Sequence, residues 1–130
     1  MIRVKAIING EKDFSPFLRV FEYSNESYDT IFAASVNLVK EKLARGLKIN
    51  TNECLVLYCN FIVLRIRAQN QITHIEREAK NLLSADCVMT GVPETLSEIV
   101  FQTELNEMPQ QVIRLQEPIK IPRYVLGSGN

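Results

Sequence analysis

Hydrophobic and polar positions alternate at the start of the chain, with Ile2, Val4, Ala6 and Ile8 on one side and Arg3 and Lys5 on the other. A two-residue period predicts a strand. Asn9-Gly10 supplies a turn signal, and the aromatic-rich residues 17–23 predict a second strand. Ser15-Pro16 intervenes, so the expected hairpin is a loose one. The period then lengthens to that of a helix. Ile31, Val36, Leu38, Val39 and Leu43 predict an amphipathic helix over residues 27–45. Residues 51–68 are apolar on most sides (Leu55, Val56, Leu57, Tyr58, Phe61, Ile62 and Leu64), which predicts a central, nearly enclosed helix. β-Formers crowd that stretch, but its length and the capping residue Asn50 select helix.

Thr73 and Glu76 have the spacing of a capping box opening a third helix, whose expected inner face is Ile75, Ala79, Leu82 and Leu83. Ser84 is expected to cap a short fourth helix that stops at Gly91, with Pro93 just beyond. Two closing strands are predicted over residues 99–105 and 112–116, joined by a turn at 106–109. Pro118, Pro122 and Gly127-Ser128-Gly129 predict an extended or disordered tail. The expected fold class is α+β: a four-helix core, a C-terminal antiparallel β-hairpin, and an added N-terminal β-hairpin.

The densest local signal is Leu43-Ala44-Arg45-Gly46-Leu47-Lys48-Ile49-Asn50, a helix stop pressed against a helix start. Gly46 is placed to turn left-handed just past a helix end, with Lys42 and Arg45 adding positive charge there. Asn50 is placed to cap the next helix, and Glu53 to complete a capping box.

Composition narrows the class. A chain of 130 residues fits one domain, which should bury roughly two thirds of its unfolded surface. Fifteen basic and fifteen acidic residues cancel, which argues against non-specific binding to nucleic acid or membrane. The longest apolar stretch, residues 54–64, is too short to span a bilayer and is interrupted by Asn60. The N-terminus lacks the apolar block of a signal peptide, and three cysteines make no disulfide framework. A reducing cytoplasm is the expected compartment.

Three blocks resemble the urease gamma subunit family: residues 43–50 followed by Glu53, the segment Val88-Met89-Thr90-Gly91-Val92-Pro93-Glu94, and the ending Pro118-Ile119. Residues 28–105 follow the family pattern without a gap, and the match continues to 119 after one extra residue. The resemblance implies a division into an N-terminal hairpin extension (1–24), a gamma-like domain (25–119) and a tail (120–130). It implies a structural subunit of an enzyme that hydrolyses urea to ammonia and carbon dioxide at a nickel centre on its large alpha subunit. Alpha-like and beta-like partners in a trimeric assembly would follow. So would the absence of catalytic, cofactor-binding or metal-ligating residues on this chain. Arg45, Gly46, Lys48, Asn50, Glu53, Val88, Met89, Gly91, Val92 and Pro118 are then the family-motif residues expected to serve assembly. The alternative is a stand-alone oligomeric binding or scaffold protein that keeps the fold without urease activity.

The chain departs from the family pattern at turns. Asn52 stands where proline is common, and Arg67-Ala68-Gln69 replaces Arg-Asp-Gly, leaving Asn70 to take the left-handed turn. Asn106-Glu107-Met108-Pro109 replaces the Pro-Asp-Gly of the last hairpin.

The residues that could carry chemistry are few. His74 has no second histidine to pair with and is expected at a surface or capping position. Cys54 and Cys59 lie about 140° apart around a helix and read as core packing rather than one metal site. Cys87 is expected in the first turn of the short fourth helix, where a dipole can activate a thiol, but no base is evident. Glu76 and Glu78, and Glu104 and Glu107, are expected on solvated faces. Arg65 and Arg67 either satisfy terminal carbonyls or reach partner carboxylates. Phe14, Phe17, Phe21 and Tyr23 either pack the hairpin on the helices or form a subunit interface.

Overall fold

A computed structural model describes residues 2–9, 20–23, 32–105 and 109–121. Two strands come first, β1 (Ile2–Ile8) and β2 (Val20–Tyr23). Helices α1 (Ala33–Ala44), α2 (Thr51–Arg67) and α3 (Ile72–Ala79) follow, then a 3-10 turn (Ala85–Cys87) and the short α4 (Val92–Thr95). Strands β3 (Glu98–Leu105) and β4 (Gln111–Gln116) close the described part. The fold is α+β, as the sequence leads one to expect.

The strands form one antiparallel sheet in the order β2-β1-β3-β4. β1 pairs with β3 along its whole length, from Ile2 opposite Leu105 to Ile8 opposite Ile99. This long-range pairing has no signature in the sequence. Among the described side chains, one sheet face is buried at Val4, Ala6 and Ile8 on β1, Ile99, Phe101 and Thr103 on β3, and Ile113 and Leu115 on β4. Successive side chains alternate between faces, so Arg3, Glu104, Glu98 and Arg114 fall on the other side and pair there as Arg3–Glu104 and Arg114–Glu98.

Helix α2 is the hub of the second layer. Cys54, Leu55, Leu57, Tyr58, Cys59, Ile62, Val63 and Ile66 are all buried, which explains why its pattern is apolar nearly all round. It packs against β1, α1 and α3, and α3 reaches β4.

Several local expectations are corrected. Leu38 is 63% exposed and lies off the buried stripe of α1, which consists of Val36 and Val39. The predicted start of that helix, residues 27–31, lies outside the described residues, as do Phe14, Phe17 and the last-hairpin residues 106–108. The capping box at Thr73 does not form. The chain leaves α2 through a turn centred on Gln69 (φ 62), not Asn70, and α3 starts at Ile72 with Gln71 as its cap residue, so Thr73 already lies in the first turn. Gln69 is the position that follows the α2 cap, and it takes the left-handed conformation while its amide reaches the Ile66 carbonyl (2.8 Å) and that of Asn70 the Arg65 carbonyl (3.1 Å). Ser84 precedes only a 3-10 turn, without a side-chain cap bond. Gly91 ends nothing: it is the left-handed residue (φ 90) that opens α4, with Pro93 inside the first turn.

Candidate assembly surface

The junction between α1 and α2 forms as its residues demand. Gly46 has φ 76; its amide reaches the Leu43 carbonyl at 3.0 Å, and the amide of Leu47 reaches Lys42 at 3.0 Å. These two bonds satisfy the last carbonyls of α1 in a Schellman turn. Asn50 then starts α2. Its side-chain oxygen accepts the Glu53 amide at 2.8 Å, and Glu53 Oε1 accepts the Asn50 amide at 2.9 Å. Glu53 Oε2 also pairs with Lys42 Nζ, so one carboxylate ties the end of α1 to the start of α2. Burial alone would raise the Glu53 pKa; the Lys42 hydrogen bond, the Asn50 amide and the Lys42 charge outweigh it and hold the carboxyl below its ordinary range.

The second block comes to the first. Ile49 and Val88 form an isolated parallel bridge: the Ile49 amide donates to the Cys87 carbonyl at 3.0 Å, and the Met89 amide to the Ile49 carbonyl at 2.9 Å. Both bridge side chains are buried. This explains why the predicted fourth helix does not run on to Gly91: Val88 must be extended to pair with Ile49. The chain then turns, Val92 bonding back to Met89 at 3.1 Å, and Thr95 closes α4 on the Gly91 carbonyl through both its amide (3.0 Å) and its hydroxyl (2.9 Å).

Nine of the ten motif residues therefore sit on two segments joined through their backbones. Arg45, Gly46, Lys48, Asn50, Met89 and Gly91 are exposed there, while Val88 and Val92 are buried beneath. Two large apolar side chains stay in solvent on these segments, Leu47 (48% exposed) and Met89 (46%). Pro118 is buried with Ile119 after β4, and is anchored by the Glu117 amide on the Ser97 carbonyl (2.7 Å) rather than by the bridge. Sequence reasoning missed Ile49 as the residue that joins the blocks. It read as one more apolar position.

The other candidates take structural places. His74 Nδ1 lies 3.0 Å from Arg77 Nη2, and its Nε2 lies 3.1 Å from Glu78 Oε2. A neutral ring with the proton on Nε2 satisfies both contacts. Glu78 also pairs with Arg65 at 3.1 Å, and the Arg65 guanidinium lies over the Phe61 ring at 4.9 Å. Glu78 is thus bound within the chain rather than on a free solvated face. Glu76 accepts the backbone amide of Arg114 at 2.9 Å. Cys54 and Cys59 are buried; burial, then the Glu53 charge and Cys87, push the Cys54 thiol up to about 12, and burial pushes Cys59 up as well. Cys87 is half-buried, its Sγ 3.4 Å from Ser84 Oγ. Among the described residues no three His, Cys, Asp or Glu side chains converge to hold a metal. No helix among them is long and apolar enough to cross a membrane.

The family described as urease, gamma subunit, matches residues 23–119, which include both bridged segments and the buried ending. The chain belongs to the urease gamma subunit family. Its similarity to individual members is modest. It is 29% identical over 83 residues to a urease subunit gamma of Halalkalibacterium halodurans, covering 64% of this chain and 82% of that one. It is 28% identical over 96 residues to a urease subunit gamma of Haloquadratum walsbyi (74% and 86%) and 25% over 95 residues to one of Frankia alni (73% and 94%). The family match begins at the last residue of β2, so the whole of β1 lies before it.

Proposed function

We propose that this chain is a non-catalytic structural subunit of a urease or urease-related nickel-dependent amidohydrolase. The observation that carries this reading is the bond from Met89 to Ile49, which joins two separated blocks of the family pattern and leaves Leu47 and Met89 exposed on them. An exposed Leu and Met beside Arg45 have the composition of an interface: apolar and adaptable side chains with an arginine nearby. In this reading the gamma-like domain (25–119) docks there on an alpha-like large subunit. A beta-like subunit and the other copies complete a trimeric assembly in the cytoplasm. Residues 1–24 are an extension of the domain and 120–130 a tail. Urea hydrolysis and its nickel belong to the large subunit, and no step of that chemistry runs through this chain.

Affinity capture at native expression, followed by mass measurement of the intact complex, tests the reading. The chain should emerge with a large hydrolase subunit. Leu47→Asp combined with Met89→Asp should cut that recovery at least tenfold while leaving the thermal midpoint within a few degrees, because both residues are already about half exposed. Recovery of the chain only as a free monomer would sink the proposal.

A second reading is a stand-alone oligomeric scaffold that keeps the fold without urease activity. The placement of β1 favours it: a strand from before the family match pairs over its whole length with β3. A stable homo-oligomer of the purified chain that binds no large subunit would select this reading.

A further inference from the structure

Helix α3 turns one side toward β4. Thr73, Glu76, Arg77 and Lys80 face Arg114 and Gln116 across an open cleft of about 550 Å³. Thr73 and Arg77 stand at i and i+4 on the helix and Lys80, its C-terminal cap residue, follows at i+7, so the three line one side. The lining holds three cations and a single carboxylate. That carboxylate is engaged, with Glu76 Oε2 on the backbone amide of Arg114 at 2.9 Å, and the Arg114 guanidinium is directed to Glu98 at 2.9 Å. Arg77 is held by His74, whose imidazole supplies no negative charge. Among the described residues no carboxylate lies within ion-pair distance of Arg77 or Lys80.

The positive surface continues. Lys80 also borders a second cleft of about 400 Å³ that contains Asn81, Ser84, Cys87 and Lys120. Cys87 is the residue whose carbonyl accepts the Ile49 amide. The basic track Arg77–Lys80–Lys120 therefore runs up to the bridged motif surface.

We propose that this track receives an acidic stretch of a partner polypeptide, with two or more carboxylates set against Arg77, Lys80 and Lys120. The occupant follows from magnitudes. An exposed ion pair contributes only about 0–1 kcal/mol, so a free monocarboxylate would not stay bound. Several carboxylates on one segment, tethered to a partner already docked nearby, act at a high effective concentration and do stay. A nucleic-acid backbone is a poorer match, because it favours an extended cationic face and the chain's formal net charge is zero. The partner's identity as a large hydrolase subunit rests on the function proposed above; the acidic character of the occupant does not.

Two measurements on the full chain separate the ideas. A hexaglutamate peptide at low salt and about millimolar concentration, which matches the effective concentration a short tether supplies, should shift the NMR signals of Arg77, Lys80 and Lys120, and the shifts should vanish at high salt. Association with the purified large subunit should slow by about tenfold in Arg77→Glu/Lys80→Glu and lose most of its salt dependence. Lys120→Glu, outside any helix, should slow it in the same direction, which guards against misfolding of α3. Peptide shifts without large-subunit binding would remove the subunit reading and keep the track. Large-subunit binding with unchanged rates in all the variants would overturn the track and keep the subunit reading. Absence of peptide shifts, or tighter binding of an RNA oligonucleotide through the same residues, would also overturn it.

Discussion

Asn9 and Glu98 bind each other reciprocally: the Asn9 amide donates to the Glu98 carbonyl at 2.8 Å, and the Glu98 amide to Asn9 Oδ1 at 2.9 Å. The same side chain accepts the Ser97 hydroxyl at 2.8 Å and donates to the Thr95 carbonyl at 2.7 Å. Asn9 itself has φ 46, a conformation asparagine tolerates better than most residues. One short side chain thus fastens the end of β1 to the start of β3.

Asn9→Ala should remove three side-chain bonds at once and keep the unfavourable φ. About 2–3 kcal/mol of stability should be lost, seen as a lower midpoint in urea. Native-state hydrogen exchange should speed up first at Glu98. Exchange unchanged there would show that the bonds are not made in solution.

The Glu53 clasp should give the fold an acid limit. Its carboxyl pKa is held below the unfolded value of 4.5, so its contribution is fully present above that pH and is lost as pH falls through the lower folded value. Glu53→Gln keeps the cap shape and removes the charge. At neutral pH it should cost about 0.5–1 kcal/mol, and the gap from the parent should close in strongly acidic buffer. A gap that stays constant with pH would assign the loss to geometry instead.

Gly46 and Gln69 occupy equivalent left-handed positions after α1 and α2, with φ 76 and 62. A Cβ at Gly46 would meet nothing within 4 Å, so Gly46→Ala should cost about 1 kcal/mol through backbone strain alone. Gln69→Gly should act in the opposite sense and add a few tenths to about 1 kcal/mol. Chemical denaturation of the two variants measures both signs, and a destabilised Gln69→Gly would contradict the strain argument.

The thiols should separate by environment. Cys54, pushed up to about 12, and Cys59, also raised, are buried and should resist a thiol reagent at pH 8 in the native chain. Cys87, half-buried, should react alone. Three equivalents should react after denaturation, and more than one in the native state would show that α2 opens locally.

Much of this fold was legible in the chain because its causes are local. The enclosure of α2 is written in its apolar pattern, the turn at Gly46 in one glycine, and the start of α2 in Asn50 and Glu53. The alternation of Ile2, Val4, Ala6 and Ile8 fixes which side of β1 is buried. Local rules failed where a distant segment claimed the backbone. Val88 is drawn out of the expected helix to bridge Ile49, so Gly91 opens a helix rather than closing one. Thr73 lost its capping role because the turn at Gln69 delivers the chain straight into Ile72, and Glu76 is spent on the β4 amide of Arg114.

The sequence by itself determined most of the elements, the α+β class and the family pattern, since periodicity, caps and turn residues act within a few positions. Only the tertiary structure decided that β1 completes the sheet beside β3, that Asn9 locks the two together, and that the motif blocks meet at Ile49 and Met89. The strand pairing and the bridge are backbone hydrogen bonds between segments far apart in sequence, and the Asn9 side chain binds mainly backbone groups of such a segment. Every residue has the same amide and carbonyl to offer, so no side-chain pattern announces which of them will pair.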